Sequence, residues 1–289
     1  MTDTIVGNPP TRPLQEDRVR QHFESVAVKY ASFYEGETSE AHSFSVRLAR
    51  VLEMLPARLG RLVDLGCGPG LLMRRVLEQR PGSSQPTAPP VGIDFATSML
   101  REAAAQLSGV GGRRAHLVCA SGGGLPLRSG AADTVVCMGL MEYLDDEHGV
   151  LAEIARVLSP GGVVIITLPN VRSPYRLWHR LMNRLFGALR AMFPRSERLK
   201  NVEFMVGPFT KGVAHREYAE GEYRARLRRF GLEPVDVCYY NFKLFLTPLD
   251  KWCPRATVRV SRRLERWGRH PVLRFLATAF IIKARRGER

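Results

Sequence analysis

No two cysteines of this chain form a C-x-x-C pair. The five present, Cys67, Cys119, Cys137, Cys238 and Cys253, are odd in number and widely spread, which argues against a disulfide framework and a structural zinc site. A reducing, cytoplasmic setting is therefore expected. Also missing is any run near the roughly 18 apolar residues that a membrane span requires. Residues 1–13 are polar and proline-bearing without an apolar core, so neither spanning nor export is expected. Lysine is scarce, since nearly all of the 43 basic residues are arginine, against 28 acidic ones and a net charge of +15. The excess is confined to one half: residues 1–170 carry 16 Lys/Arg and 18 Asp/Glu, and residues 171–289 carry 27 and 10. Such a half suits nucleic acid, an anionic membrane or an acidic substrate. Codon bias toward arginine accounts for the same excess.

What is present begins at Val63-Asp64-Leu65-Gly66-Cys67-Gly68-Pro69-Gly70. A short apolar run ends in an acid and then spends three glycines in five residues, the pattern of a buried strand breaking into a turn that brings backbone close to a ligand. Leu71 and Met73 stand where the dinucleotide fingerprint needs glycine, and the Lys-Ser/Thr of the Walker pattern is absent, so phosphate is not the expected guest. A second strand, Val91-Gly92-Ile93-Asp94-Phe95, ends in another acid, placed to reach a ribose diol. Cys67 reads as a small filler between glycines, with no chemistry assigned.

In this order, and with Gly124-Leu125-Pro126-Leu127, Ala132 to Met138 and Leu158-Ser159-Pro160-Gly161-Gly162-Val163 following, the chain resembles the class I S-adenosylmethionine-dependent methyltransferases of small-molecule type. The resemblance covers residues 20–170. It implies a Rossmann-like, seven-stranded, mostly parallel α/β sheet with helices on both faces and a helical cap insertion. Residues 1–60 become N-terminal helices over the cofactor site and 61–170 the cofactor-binding core. Residues 171–215 form a basic helical cap, and 216–289 the last helix and strands. The strands fall near 61–66, 90–94, 115–119, 133–138, 162–169, 233–240 and 276–283, the last of them antiparallel. Helical patterns cover 15–35, 38–55 and 175–193, with a partly amphipathic stretch at 255–270 and a solvent loop at 81–90.

The same resemblance implies S-adenosylmethionine as cofactor. Asp64 orients its amino end, Gly66, Gly68 and Gly70 allow close backbone approach, Asp94 accepts the ribose hydroxyls and Phe95 covers the adenine. Ser121 stands where many relatives have an acid against the adenine amino group. Phe23 to Tyr34 resembles the segment that closes over the cofactor, which makes Tyr30 a cofactor contact and Tyr34 an acceptor contact. Tyr143 and Trp178 are further acceptor candidates. His215 is the first candidate for a general base, with His148, His42 and His179 behind it.

In 175–193, apolar residues recur at helical spacing while Arg176, Arg180 and Arg184 form an i, i+4 stripe. That describes a cap over the acceptor pocket, able also to touch anionic membrane. The expected activity is methyl transfer, by preference to oxygen, on a small-molecule or lipid-like acceptor. RNA methylation is an alternative, weakened by the absence of an appended RNA-binding module; a non-methylating cofactor binder is another. Oligomeric state is not legible.

Overall fold

The computed structural model describes residues 15–36, 38–79, 85–110, 115–193, 213, 215–247 and 249–288. Residues 81–84 of the expected solvent loop and 194–212 of the expected cap lie outside them.

A seven-stranded sheet runs in the order β3-β2-β1-β4-β5-β7-β6. Its strands are β1 (Leu62–Leu65), β2 (Val91–Asp94), β3 (His116–Cys119), β4 (Ala132–Cys137), β5 (Leu158–Pro169), β6 (Leu232–Phe242) and β7 (Ala277–Arg286). The first five pair in parallel, and β7 is antiparallel to both β5 and β6. This is the expected fold class, and its cause is visible in residue type. Every residue of β1 is buried, as are most of β4 and β5; parallel strands covered on both faces favour apolar side chains, and Asp64 is the charged exception in β1.

Helices cover the two faces. On one, α2 (Ser39–Met54) packs Val51 and Met54 with Leu72 and Val76 of α3 (Leu71–Gln79). On the other, α5 (Glu147–Val157) packs Leu151 and Ile154 with Tyr223 and Leu227 of a later helix, Glu220–Arg229. The order of strands reverses between β1 and β4, and that reversal opens a crevice outside the carboxyl ends of the strands.

Three boundaries differ from the sequence expectation. The helix expected over 15–35 ends as α1 (Gln15–Tyr30) and passes into a 3-10 turn, Ala31–Tyr34, which lets Ser45 on α2 donate to the Tyr34 carbonyl at 2.8 Å. Residues 158–161, which precede the strand expected at 162–169, already belong to β5: Leu158 pairs with Ala132, and the register shifts before Val163 meets Thr134. Gly161 takes φ +73° inside that irregularity, a bulge that glycine makes inexpensive. The arginine-rich stretch expected over 255–270 is helical only over Pro254–Glu265.

In α6 (Pro174–Met192) the two stripes face opposite to a solvated charge row. Arg176 and Arg180 both turn inward onto the Glu217 carboxylate. Leu177, Leu181 and Leu185 are left 48%, 57% and 49% exposed on the outer side. No helix among the described residues is long and apolar enough to cross a membrane.

Candidate active site

The glycine loop after β1 is fixed by its neighbour strand. Gly66 and Cys67 both donate N–H to the Ile93 carbonyl, at 2.8 and 3.0 Å, so the turn is tied to the end of β2. Gly66, Gly68 and Gly70 all have positive φ, at +73°, +50° and +76°. Gly68 and Gly70 serve different ends. A Cβ on Gly68 would meet nothing within 4 Å, whereas one on Gly70 would lie 3.1 Å from the Ala103 Cβ on α4 (Thr97–Ser108). Gly68 therefore opens the backbone to a ligand, and Gly70 lets the start of α3 pack against α4.

The loop borders a cavity of about 390 Å³. Gly66, Gly68, Asp94, Phe95 and Ser121 line one part of it, and Tyr30, Tyr34 and Tyr143 another. Asp94 is 8% exposed. Its Oδ2 accepts the Gly68 N–H at 2.9 Å and its Oδ1 the Ala96 N–H at 2.9 Å. Burial pushes its pKa up against those backbone donors, with a net rise.

Asp64 sits just before the lining residues, 1% exposed, and neither carboxyl oxygen has a hydrogen-bond partner. Burial first, then the neighbouring Asp94 carboxylate, push its pKa up to about 7. An orphaned buried carboxylate costs free energy until a donor arrives. The ammonium of an amino-acid moiety is such a donor.

Over the cavity lies α1. Phe23 meets Tyr143 edge-on at 5.3 Å between ring centroids and Tyr30 at 6.1 Å. Arg20 stacks over Phe95 at 5.5 Å. The helix is pinned by Glu24, whose Oε1 accepts N–H and O–H from Thr97 at 2.7 and 3.0 Å, and whose Oε2 accepts the Ser98 N–H at 2.9 Å. The N-cap of α4, Ala96, has no side-chain acceptor, so Glu24, 73 positions before Thr97, caps that helix instead. Those hydrogen bonds, against a smaller effect of burial, lower the Glu24 pKa to about 2.

Besides Asp64, which lies just behind it, Gly70, Trp178 and His215 fall outside the cavity lining. Gly70 is committed to helix packing, as above. Trp178 is turned away, its Nε1 donating to the Thr247 carbonyl at 2.9 Å. His215 lies behind Tyr143, edge-on at 5.3 Å, with Nε2 3.9 Å from the Glu142 carboxylate. Burial, then the charges of Arg176 and Arg47, bring its pKa down to about 3. In this position it has no direct contact with the cavity, unlike the general base expected from the sequence. Of the histidines behind it, His42 meets the Ser261 hydroxyl at 3.0 Å and His179 the Thr247 hydroxyl at 3.2 Å. His148 packs on Phe230, and none of the three lines the cavity.

No sequence signal marks Glu24 as a staple or Arg47 as standing behind the cavity wall. Phe23 was visible as an apolar position on a helix face and as the first residue of the segment resembling the one that closes over the cofactor, but not as a partner of Tyr143. A lone glutamate four residues after an arginine, Arg20, reads as an ordinary solvated helix pair, so only the fold reveals its partners.

Fold and crevice together have the architecture of a class I S-adenosylmethionine-dependent methyltransferase domain, a domain whose cofactor is S-adenosylmethionine. Residues 63–166 match the family described as methyltransferase domain. A trans-aconitate 2-methyltransferase of Methylobacterium nodulans is 32% identical over 166 residues, 56% of this chain and 55% of that protein. The chain thus spans little more than half the length of that relative. A demethylmenaquinone methyltransferase of Staphylococcus aureus is 28% identical over 238 residues, covering 71% of this chain and 94% of its own. Among solved structures, the [4+2]-cyclase SpnF has the same fold at a TM-score of 0.58 with 17% identity, covering 96% of this chain and 98% of that one.

Proposed function

We propose that the chain transfers a methyl group from S-adenosylmethionine to an oxygen of a small-molecule or lipid-like acceptor. One observation carries the cofactor half of this reading: a buried carboxylate with both oxygens unpartnered, Asp64, beside a glycine loop whose Gly68 N–H is held by a second buried acid, Asp94. When bound, the cofactor supplies an electrophilic methyl group on a sulfonium, a good leaving group. The chain's residues hold and orient. Asp64 receives the ammonium, Asp94 receives ribose hydroxyls with the lone pairs its backbone donors leave over, and Phe95 and Ser121 flank the adenine. Phe23, Tyr30 and Tyr143 roof the cavity with aromatic surface that excludes water and strengthens the electrostatics beneath it.

On the acceptor side the choice rests on wall chemistry. Tyr34 and Tyr143 both line the cavity; burial and the Glu142 carboxyl raise the Tyr143 pKa. The segment after β4 reads Gly139-Leu140-Met141-Glu142 and lacks the Asn/Asp-Pro-Pro-aromatic pattern associated with methylation of exocyclic amines on nucleic acid. The relatives' printed names, on trans-aconitate and on demethylmenaquinone, support an acidic or a lipid-soluble small molecule. The exposed leucine stripe of α6 supports a peripheral contact with anionic membrane over residues 175–193. Calorimetry with S-adenosylmethionine and S-adenosylhomocysteine, then a radiolabelled methyl-transfer screen against small metabolites, lipid extract and total RNA, tests the reading. Label in RNA alone, or tight cofactor binding with no label anywhere, overturns it.

A further inference from the structure

Behind the cavity wall stands an arginine that pairs with no acid among the described residues. Arg47, on α2, has its guanidinium over the Phe44 ring at 4.8 Å, and its Nη2 donates to the Tyr34 hydroxyl at 3.2 Å. Its Nε is buried without a hydrogen-bond partner. Among the described residues no carboxylate lies within ion-pair distance. Arg176 and Arg180 instead share Glu217, and Arg226 pairs with Glu147. Burial opposes the Arg47 charge, while the hydroxyls of Tyr34, Tyr30 and Tyr240 and the Glu142 carboxyl favour it, and the balance keeps the guanidinium charged. Glu142 does not neutralise it in full, because burial raises that carboxyl's own pKa and one of its oxygens is itself unpartnered.

The wall is thin where this charge lies. Gly139 lines the cavity, and a Cβ built on it would fall 2.6 Å from Arg47 Nη1 and 3.2 Å from Cζ. Gly139 also has φ +73° and donates its N–H to the Thr167 hydroxyl at 2.8 Å. Any side chain there would collide with the guanidinium. Its absence lets the guanidinium pack directly against Gly139, with Nη1 at the glycine and Nη2 at Tyr34, and both of those residues line the cavity. Arg47 is half-buried with its Nε enclosed; an unpaired charge largely withdrawn from water is costly, and a planar two-oxygen anion matches the guanidinium fork in a way that a point charge does not.

We infer that Arg47 is the anion-recognising residue of the acceptor pocket and that the acceptor carries a carboxylate, which docks on the cavity wall beside Gly139 and Tyr34. This rests on the cavity being the cofactor and acceptor site. The carboxylate anchors the molecule, and the tyrosines beside it set the rest of its pose.

The test is calorimetric titration of the protein saturated with S-adenosylhomocysteine, using phenylacetate and its uncharged isostere phenylacetamide. The expected result is at least tenfold tighter binding of the acid, lost in Arg47→Gln and partly kept in Arg47→Lys, with S-adenosylhomocysteine affinity within about threefold of wild type in both. Equal binding of acid and amide, binding of neither, or a preference that survives in Arg47→Gln overturns the inference. If Arg47→Gln fails to fold, the wild-type comparison and Arg47→Lys still decide it. Failure of S-adenosylhomocysteine itself to bind the wild-type protein would instead sink the underlying reading of the cavity.

Discussion

The Asp94 carboxylate accepts the backbone N–H of Gly68 at 2.9 Å, so the acid at the end of β2 holds the glycine loop of β1 in its open shape. Removal of Asp94 has two consequences at once: a buried loop N–H loses its acceptor, and the cavity loses its ribose-facing carboxylate. Hydrogen bonds to charged groups contribute about 1.5–3 kcal/mol, so Asp94→Ala is expected to weaken S-adenosylhomocysteine binding about 10- to 100-fold by calorimetry. Affinity within a factor of two of wild type would show that the diol is held elsewhere.

Asp64 makes stability depend on pH. Its folded pKa, about 7, stands above the unfolded carboxylate value, so the native state binds the extra proton between the two. Stability is therefore fully present below pH 4 as far as this group is concerned, and is lost as pH rises toward 7, by on the order of 4 kcal/mol. Urea midpoints for wild type should fall between pH 5 and pH 8 relative to Asp64→Asn. Binding of a ligand that brings an ammonium to Asp64 lowers its pKa again, so S-adenosylhomocysteine binding at pH 6.5 should release protons, seen as a buffer-dependent calorimetric enthalpy. Equal enthalpies in phosphate and Tris buffers would contradict the placement of that ammonium.

The parts of this site that were legible in the sequence are local. Gly66, Gly68 and Asp94 show themselves because a strand end, a tight turn and a close backbone approach each restrict residue type within a few positions. The sheet was legible for the same reason, through short buried runs such as 62–65. Arg47 and Gly139 are 92 positions apart and Glu24 and Thr97 are 73 apart, and nothing in the spacing of either pair announces contact. Trp178 illustrates the converse. An aromatic on an amphipathic helix suggested an acceptor wall, but the indole N–H found the Thr247 carbonyl, and that bond sets its direction.

Glu24 predicts an acid-sensitive roof. Its folded pKa, about 2, lies below the ordinary value of 4.5, so its contribution is present above pH 4.5 and is lost as pH falls toward 2. Loss of a helix cap costs about 1 kcal/mol, and Glu24→Ala is therefore expected to speed amide exchange about fivefold in both Gln15–Tyr30 and the first turn of α4. The same variant should accelerate S-adenosylhomocysteine dissociation, because Phe23 and Tyr30 move with the helix. Unchanged exchange in both segments would mean that the aromatic contacts alone hold α1 down.

His215 provides the sharpest test of how the acceptor is deprotonated. Its imidazole, with a pKa near 3, stays neutral across the range in which an ordinary histidine titrates, and its ring meets the cavity only through the edge of Tyr143. General-base catalysis is typically worth about 10²- to 10⁴-fold. A group that only supports Tyr143 should contribute far less. His215→Phe preserves an aromatic edge, so kcat is expected to stay within about threefold of wild type and the pH–rate profile to keep its shape between pH 5 and 8. His215→Ala, which removes the support, should raise KM for the acceptor more than it lowers kcat. A 100-fold fall in kcat for His215→Phe, with loss of a limb near pH 6.5, would place the imidazole back in the chemistry and require the Tyr143 ring to swing aside during turnover.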